Sequence, residues 1–331
     1  MTPTNPPIPE PSTDLPHFVD TPSACRLSEW GLLRVSGEDA AAFLQGQATC
    51  DINALGDGRL GSGAFCTPKG RVIASFRIAK SGDAFYLLLA NELVPVIHKR
   101  LQLYLLRSRV ILENLSEKYI LIGVMGSGAE TALDITDHAL RRSQGLSWSN
   151  DRGYGILKVS EDPARYLLLI DTIRSWSEER FGQLPLLKPE VWKWCEIEAG
   201  FPWVTAATSE EFLPQMLNLD CLDGIGFKKG CYTGQEIVTR THFLGQLKRR
   251  MYRLSCKSDS PVEAGAVVYA ELDGESKTAG QIVNACRNKE GNIECLAVLS
   301  LELADSPKLR AADPQQGPLL QKLSLPYSLA L

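Results

Sequence analysis

The pattern of hydrophobic and polar positions divides most of the chain into two regions of mixed helices and strands and a third region of strands alone. Alternating or short continuous apolar segments predict strands, and apolar residues spaced by three or four positions predict helices. In the first region, the predicted helices cover residues 38–45 and 92–105, and the predicted strands cover residues 31–35, 61–66, 71–79, 84–89 and 108–112. This order is typical of a ferredoxin-like α+β unit with an antiparallel sheet.

A second α+β unit and then a β-barrel are predicted beyond it. The second unit has predicted strands at residues 119–124, 154–159 and 165–170 and a helix at residues 189–199. After Gly245, glycine and proline turns separate apolar segments at residues 250–256, 266–270, 279–285 and 294–299, which is typical of a small barrel. Six prolines in the first sixteen residues predict an extended, disordered tail. The predicted parts are a tail (1–17), a first α+β unit (18–116), a second α+β unit (117–245) and a barrel (246–331).

Composition and charge narrow the class of protein. The formal net charge of −4 gives no global attraction to nucleic acid or to an anionic membrane. No apolar run approaches eighteen residues, and the start lacks the basic-then-apolar order of a signal peptide, so we expect a cytoplasmic protein without a membrane helix. Nine cysteines without a C-x-x-C pair predict thiols that are free and mostly buried in a reducing compartment. The four histidines stand alone, so no metal site is expected.

The most informative segment is residues 229–236, which read KGCYTGQE. Thr233 and Glu236 have the T-x-x-E spacing of a capping box, which predicts Thr233 as the N-cap of a helix. Cys231 would then lie close to the free N–H groups of that helix, and Lys228 and Lys229 would add positive charge. Each effect should lower the pKa of the Cys231 thiol and favour the thiolate. The alternative is a glycine-rich turn whose cysteine is a small buried filler.

This segment resembles the signature of the YgfZ family of folate-binding proteins, K-G-C-x-x-G-Q-E with an Arg shortly after it, here Arg240. Residues 43–51 resemble the family's F-L-Q-G-Q-x-T-x-D, residues 63–72 its G-A-x-x-x-P-K-G-R-V, and residues 196–202 its E-A-G-x-P stretch. The family is related to the aminomethyltransferase (T-protein) of the glycine cleavage system. The chain is therefore identified as a member of the YgfZ family over nearly its whole length, from about Phe18.

The resemblance implies a T-protein-like ring of three domains, two ferredoxin-like α+β units and a small barrel, with tetrahydrofolate or a derivative in the central hole. The negative glutamyl tail of the folate needs cations, and a buried carboxylate suits the N–H donors of its pterin ring. We take Glu196 as a surface carboxylate, since acidic side chains are mostly exposed. The candidate folate-binding residues are Lys69, Arg71, Glu198, Lys229, Tyr232, Gln235, Glu236 and Arg240.

The resemblance also implies a function: support of iron–sulfur cluster assembly or repair and, through it, of tRNA modification. Cys231 would be the reactive thiol, with Lys229 beside it, in a monomer that meets cluster assembly proteins transiently and tRNA-modifying iron–sulfur enzymes indirectly. The acid of the T-protein reaction should fall near Ala74 and Ser75, and neither side chain takes up a proton near neutral pH, so a conventional transferase is not expected. The alternatives are a folate-dependent aminomethyl transferase and a protein that binds tRNA directly through residues 248–250.

Overall fold

The computed structural model describes residues 20–135, 145–149, 154–161, 163–172, 184–272 and 274–329. The predicted tail, residues 1–17, lies outside them. Two antiparallel five-stranded sheets and a closed barrel form the described part of the chain. Its helices are α1 (Ala40–Gln45), α2 (Val94–Gln102), α3 (Ala129–Ala132), α4 (Pro189–Glu198) and α5 (Gln235–Phe243). The predicted fold class, α+β with a C-terminal barrel, is confirmed.

The strands of the two sheets are short and largely apolar. They are β1 (Ser23–Arg26), β2 (Trp30–Ser36), β3 (Leu60–Cys66), β4 (Val72–Ser81), β5 (Ala84–Ala90), β6 (Ile111–Asn114), β7 (Tyr119–Met125), β8 (Gly145–Ser149), β9 (Tyr154–Glu161) and β10 (Ala164–Asp171). The first sheet has the order β3-β4-β5-β2-β6 and the second the order β1-β7-β10-β9-β8.

The first sheet buries its inner face under α1 and α2. Leu33, Phe76 and Leu87 from the sheet and Leu44 and Ile97 from the helices belong to one core and are 0% exposed. The turn between β4 and β5 reverses the chain within two residues, since Ser81 pairs with Ala84 across it. The predicted elements of this unit are present, although α2 ends at Gln102 rather than near residue 105.

The chain crosses between the two sheets at its start. Residues 18–116 were predicted to form the first unit, but β1 lies in the second sheet, where Cys25 pairs with Gly123 of β7. Ala24 and Cys25 are 0% and 1% exposed, so β1 gains apolar burial on both of its faces there. Helix α4 packs over this sheet, and Pro189 occupies its first turn as predicted.

The barrel closes through the strand order β11-β14-β13-β12-β15-β16, with β11 also paired to β16. Its strands are β11 (Arg249–Cys256), β12 (Val267–Leu272), β13 (Glu275–Arg287), β14 (Ile293–Ser300), β15 (Leu309–Ala311) and β16 (Leu319–Leu323). Closure leaves no unpaired sheet edge, which is how small all-β units avoid edge-to-edge association. Among the described helices, none is long and apolar enough to cross a membrane.

Candidate functional site

Two glycines bring the turn between β3 and β4 against the start of α5. Gly70 and Gly234 have φ angles of +72° and +85°, which side-chain-bearing residues rarely adopt. A Cβ on Gly234 would lie 2.9 Å from Gly70 Cα and would collide with the carbonyl oxygen of Thr67. The two backbones therefore touch because both residues are glycine, and the P-K-G-R segment meets the KGCYTGQE segment.

A third family motif joins them through hydrogen bonds. Thr49 Oγ1 donates to the carbonyl of Gly224 over 2.6 Å, and the Gly226 amide donates to the carbonyl of Thr49 over 2.8 Å. Lys229 Nζ donates to the carbonyls of Ala48 and Cys50 over 2.7 and 2.6 Å. We call residues 45–51, 67–71 and 226–240 the signature cluster. All four acceptors are backbone carbonyls, and three of the four donors are the Thr49 and Lys229 side chains, so the cluster depends on the path of the chain and on these two residues.

The predicted capping box is wrong. Helix α5 begins at Gln235, its N-cap residue is Gly234 in the left-handed conformation, and no side chain caps it. The contact between Gly234 and Gly70 explains this, because the close approach of the backbones places the start of the helix after the glycine. Cys231 therefore lies further from the helix than predicted.

Cys231 is nevertheless the accessible thiol. All nine cysteines are within the described residues, and none forms a disulfide bond; Cys231 is exposed, and the others are buried or half-buried. Burial raises the pKa of Cys66 to about 12 and that of Cys195 to about 11, so these thiols stay protonated at neutral pH. The interpretation of Cys231 as a buried filler is wrong, and the prediction that most of the other thiols are buried and free is confirmed.

Lys229 faces the first unit rather than solvent. Its Nζ lies 5.0 Å from the centre of the Tyr232 ring, besides donating to the two carbonyls. Burial lowers its pKa to about 8, against the opposing attraction of Cys50 and Asp51. Burial also raises the pKa of the Tyr232 phenol. Lys229 is therefore a lysine whose proton is less tightly held than usual, fixed next to the exposed cysteine in sequence.

A cavity of about 550 Å³ lies where the first unit, α4 and the barrel meet. Its walls include Trp30, Phe201 and Trp203. The centres of the Trp30 and Trp203 rings are 3.9 Å apart, and those of Phe201 and Trp203 are 5.2 Å apart. This volume and the aromatic wall are typical of a site for a small planar molecule.

Glu196 is the buried carboxylate of this cavity. It is 1% exposed, and three donors reach it: Arg77 Nη2 at 2.7 Å, Arg165 Nη1 at 2.6 Å and Trp203 Nε1 at 3.1 Å. Burial alone would raise the pKa of this carboxyl, but the two guanidinium groups and the hydrogen bonds outweigh burial and hold the pKa below its usual range. Our prediction of a surface carboxylate is wrong. The spacing of Glu196 from Trp192, four residues earlier in α4, would have placed both side chains on one helix face.

Comparison with known proteins now decides the family. Residues 22–148 match the GCVT N-terminal domain family. The tRNA-modifying protein YgfZ of Colwellia psychrerythraea is 32% identical over 327 residues, which cover 96% of this chain and 98% of that protein. The tRNA-modifying protein YgfZ of Yersinia pseudotuberculosis serotype IB is 33% identical, with 92% of each chain covered. The chain belongs to the YgfZ family.

The solved structure of another protein has the same fold as this chain. The glycine cleavage system aminomethyltransferase T from Bartonella henselae superposes with a TM-score of 0.71 and 13% sequence identity, covering 94% of this chain and 87% of that one. Identity that low supports the fold alone. The prediction of a T-protein-like architecture is confirmed.

The structure separates the predicted folate-binding residues from the cavity. Of the described residues that line it, none belongs to the eight candidates. Lys69 and Arg71 are exposed at the turn, where Arg71 Nη1 donates to the carbonyl of Glu211. Glu198 accepts from Arg253 Nη2 of β11 over 2.9 Å and so ties α4 to the barrel. The other candidates, all in the signature cluster, are Lys229, Tyr232, Gln235, Glu236 and Arg240.

At the position expected for the T-protein acid, the side chain has a structural role. Ala74 and Ser75 are both 0% exposed. Ser75 Oγ donates to the carbonyl of Pro202 over 2.6 Å and accepts from the Val204 amide at 2.9 Å. The hydroxyl thereby fixes the backbone on both sides of Trp203, in the wall of the cavity.

Proposed function

We propose that this protein is a folate-binding accessory protein of the reducing cytoplasm that supports iron–sulfur cluster assembly or repair and, through it, tRNA modification. The relatives at 32% and 33% identity are named tRNA-modifying proteins, which supports the last part. The observation that carries the proposal is the position of Cys231, an exposed thiol where three family motifs meet. We do not propose aminomethyl transfer, because the hydroxyl of Ser75 is hydrogen-bonded to the backbone on both sides of Trp203.

The role proposed for Cys231 is transient. A thiolate binds iron, but one thiolate does not hold a stable cluster, which usually takes four ligands. Within the part of the chain that the structure describes, no group of three or more His, Cys, Asp and Glu side chains lies together as a metal site. In this proposal the cluster is the cargo of a partner protein, and Cys231 of a monomeric chain contacts the cluster or a partner thiol during transfer.

For the folate, we propose that the pterin ring enters the cavity of about 550 Å³ lined by Trp30 and Trp203, which we call the central cavity. A carboxylate has roughly four lone-pair positions, and the three donors on Glu196 leave about one for a pterin N–H group. The wall of Trp30, Phe201 and Trp203 offers apolar faces for stacking. Glutamates outnumber lysine in the lining, so the glutamyl tail gains little there, and the ring must supply most of the affinity. Besides Glu196, the charged lining residues are Glu29, Glu92, Lys193 and Glu263.

The thiol role is tested in cells that lack the endogenous protein. Cys231→Ala should fold normally but fail to restore an iron–sulfur-dependent tRNA modification, measured by mass spectrometry of tRNA nucleosides. Cys221→Ala, at a half-buried cysteine, is the matched control and should restore it. Full complementation by Cys231→Ala would reject the thiol role.

The folate role is tested separately by titrating tetrahydrofolate into purified protein. Ala264→Trp places a large side chain in the cavity lining and should abolish binding, whereas Cys231→Ala should bind as the wild type does. If Ala264→Trp binds folate with unchanged affinity, the central cavity is not the folate site.

Direct contact with tRNA is the second candidate function, and an exposed aromatic group favours it. The rings of Phe227 and His242 stack at 3.8 Å, and Phe243 meets His242 edge-on at 4.6 Å. Phe243 and Leu244 are 63% and 86% exposed. Aromatic faces beside cations are typical of single-stranded nucleic acid sites. The exposed cations adjacent in sequence are Lys228, Arg240, Lys248 and Arg249.

Of the basic segment predicted to bind tRNA, residues 248–250, Arg250 does not belong to the exposed surface. Arg250 is 5% exposed and forms a two-point ion pair with Asp220, at 2.7 and 2.9 Å, so it belongs to the interior. Phe243→Ala should weaken tRNA binding by about ten-fold if a base stacks there. Electrophoretic shifts at increasing salt measure this, and salt-independent binding would count against a phosphate contact.

A further inference from the structure

A second pocket lies on the other side of Glu196 from the central cavity. It has a volume of about 310 Å³ and opens between β3–β4 of the first sheet, β9–β10 of the second and the end of α4. Phe201 lines both spaces, but Arg77 and Arg165 line only this pocket, and Glu196 lines only the central cavity. The row Arg77–Glu196–Arg165 is therefore a charged wall between the two.

The charges in this wall do not balance. Arginine keeps its proton under all ordinary conditions, and the lowered pKa of Glu196 keeps that carboxyl ionised. Two guanidinium groups then face one carboxylate, with side-chain exposures of 11%, 3% and 1% for Arg77, Arg165 and Glu196. The acidic residue of the pocket, Asp223, is exposed and, among the described residues, forms no ion pair with either arginine. Counted over the described residues, one buried positive charge is left over, and such a charge is costly without a partner.

The arginines also keep unused donors. Each gives one nitrogen to Glu196, and within the described residues the Nε atoms of Arg77 and Arg165 are buried without a hydrogen-bond partner. Both guanidinium groups are held by aromatic rings: Arg77 Cζ lies 4.1 Å from the centre of Phe201, and Arg165 Cζ lies 5.2 Å from that of Trp192. They cannot turn towards water without losing those contacts.

A local irregularity of the second sheet accompanies this arrangement. The register of β10 against β9 shifts between Arg165 and Tyr166. Such bulges re-aim the side chains next to them, and they are enriched beside functional sites. The hydroxyl-bearing residues Ser62 and Ser160 complete the polar part of the pocket, although Ser62 Oγ already donates to the carbonyl of Leu222.

We propose that this pocket binds the carboxylate or phosphate group of a small molecule. Paired guanidinium groups recognise these planar or tetrahedral oxyanions through charge-assisted hydrogen bonds. An oxyanion would neutralise the remaining charge and accept from the Nη groups of Arg77 and Arg165 that do not bind Glu196. The proposal does not rest on folate binding, because the pocket and the central cavity have different lining residues apart from Phe201.

The test is isothermal titration of the full chain at low ionic strength, with inorganic phosphate in one series and L-glutamate in another. Saturable binding of one equivalent is expected for at least one of them, and the better ligand distinguishes phosphate from carboxylate chemistry. Arg165→Gln should weaken it by at least about ten-fold, since a charge-assisted hydrogen bond is lost. Arg34→Gln removes an arginine that pairs with Glu113 outside the pocket, and it should bind normally.

A filling variant decides the question if Arg165→Gln does not fold. Ser160→Tyr leaves both arginines and Glu196 in place but occupies the pocket, so it should abolish anion binding. Absence of saturable binding to the wild type for both anions would overturn the proposal. So would unchanged affinity in Ser160→Tyr.

Discussion

The signature cluster and the charged wall hold their polar groups in opposite ways. In the cluster, backbone contacts of Gly70 and Gly234 and carbonyl acceptors for Lys229 position an exposed thiol. In the wall, side chains bind side chains: Glu196 joins Arg77 and Arg165 away from water. The comparison shows that a compact sequence motif contains an accessible thiol, whereas the ligand-sized spaces are built by residues scattered along the chain.

The largest difference between the two regions should appear in thiol accessibility. Iodoacetamide should modify Cys231 in the folded protein at least about a thousand-fold faster than Cys66, because a buried thiol reacts only when the structure opens. Mass spectrometry of a labelling time course measures both rates. Equal rates would contradict the accessible position of Cys231. In urea, the two rates should converge.

Changing one side chain of the charged wall should lower the free energy of unfolding more than changing an exposed ion pair does. Glu196→Gln leaves Arg77 and Arg165 buried without a counter-ion and should lower the free energy of unfolding by about 3–5 kcal/mol. Urea denaturation measures it. Glu113→Gln breaks the partly exposed pair with Arg34 and should cost no more than about 1 kcal/mol. Equal costs for the two variants would show that the wall is not a buried charge system.

The signature cluster should be sensitive at its backbone instead. Gly234→Ala forces a side chain into a left-handed position against Thr67 and Gly70, and should cost about 1–3 kcal/mol of unfolding free energy. Gly230→Ala is the matched control, since a Cβ there meets nothing within 4 Å. If both variants are as stable as the wild type by urea denaturation, the glycine contact does not position the cluster.

The smallest effect concerns the protonation of Lys229. Its pKa is lowered from 10.5 to about 8, so above pH 8 the folded protein loses a proton that the unfolded chain keeps. This group therefore adds stability as pH rises from 8 towards 10.5, and the full burial penalty applies below pH 8. Partial exposure limits the gain to about 1 kcal/mol or less. From pH 7 to pH 9, the urea midpoint of the wild type should rise relative to that of Lys229→Met. If the two midpoints change with pH in parallel, the lowered pKa of Lys229 is contradicted.

The local pattern of the chain was sufficient for much of the fold. The order of elements from β2 to β6, the proline at the start of α4 and the C-terminal barrel all follow from periodicity, turn residues and strand composition, which act over a few neighbouring residues. The motif at residues 229–236 likewise singled out Cys231, although the reason given for the helix start was wrong, because a contact with Gly70 overrides the capping pattern.

By itself, then, the sequence determined the family, the kinds of elements and the cysteine of interest, since each depends on residues that are close together in the chain. Only the tertiary structure decided that β1 belongs to the second sheet, that Glu196 is buried between two arginines and that Lys69 and Arg71 lie away from the central cavity. Those outcomes depend on partners from other parts of the chain, such as Gly123 for Cys25 and Arg77 for Glu196. Burial and charge pairing are set by such distant neighbours, which no local pattern encodes.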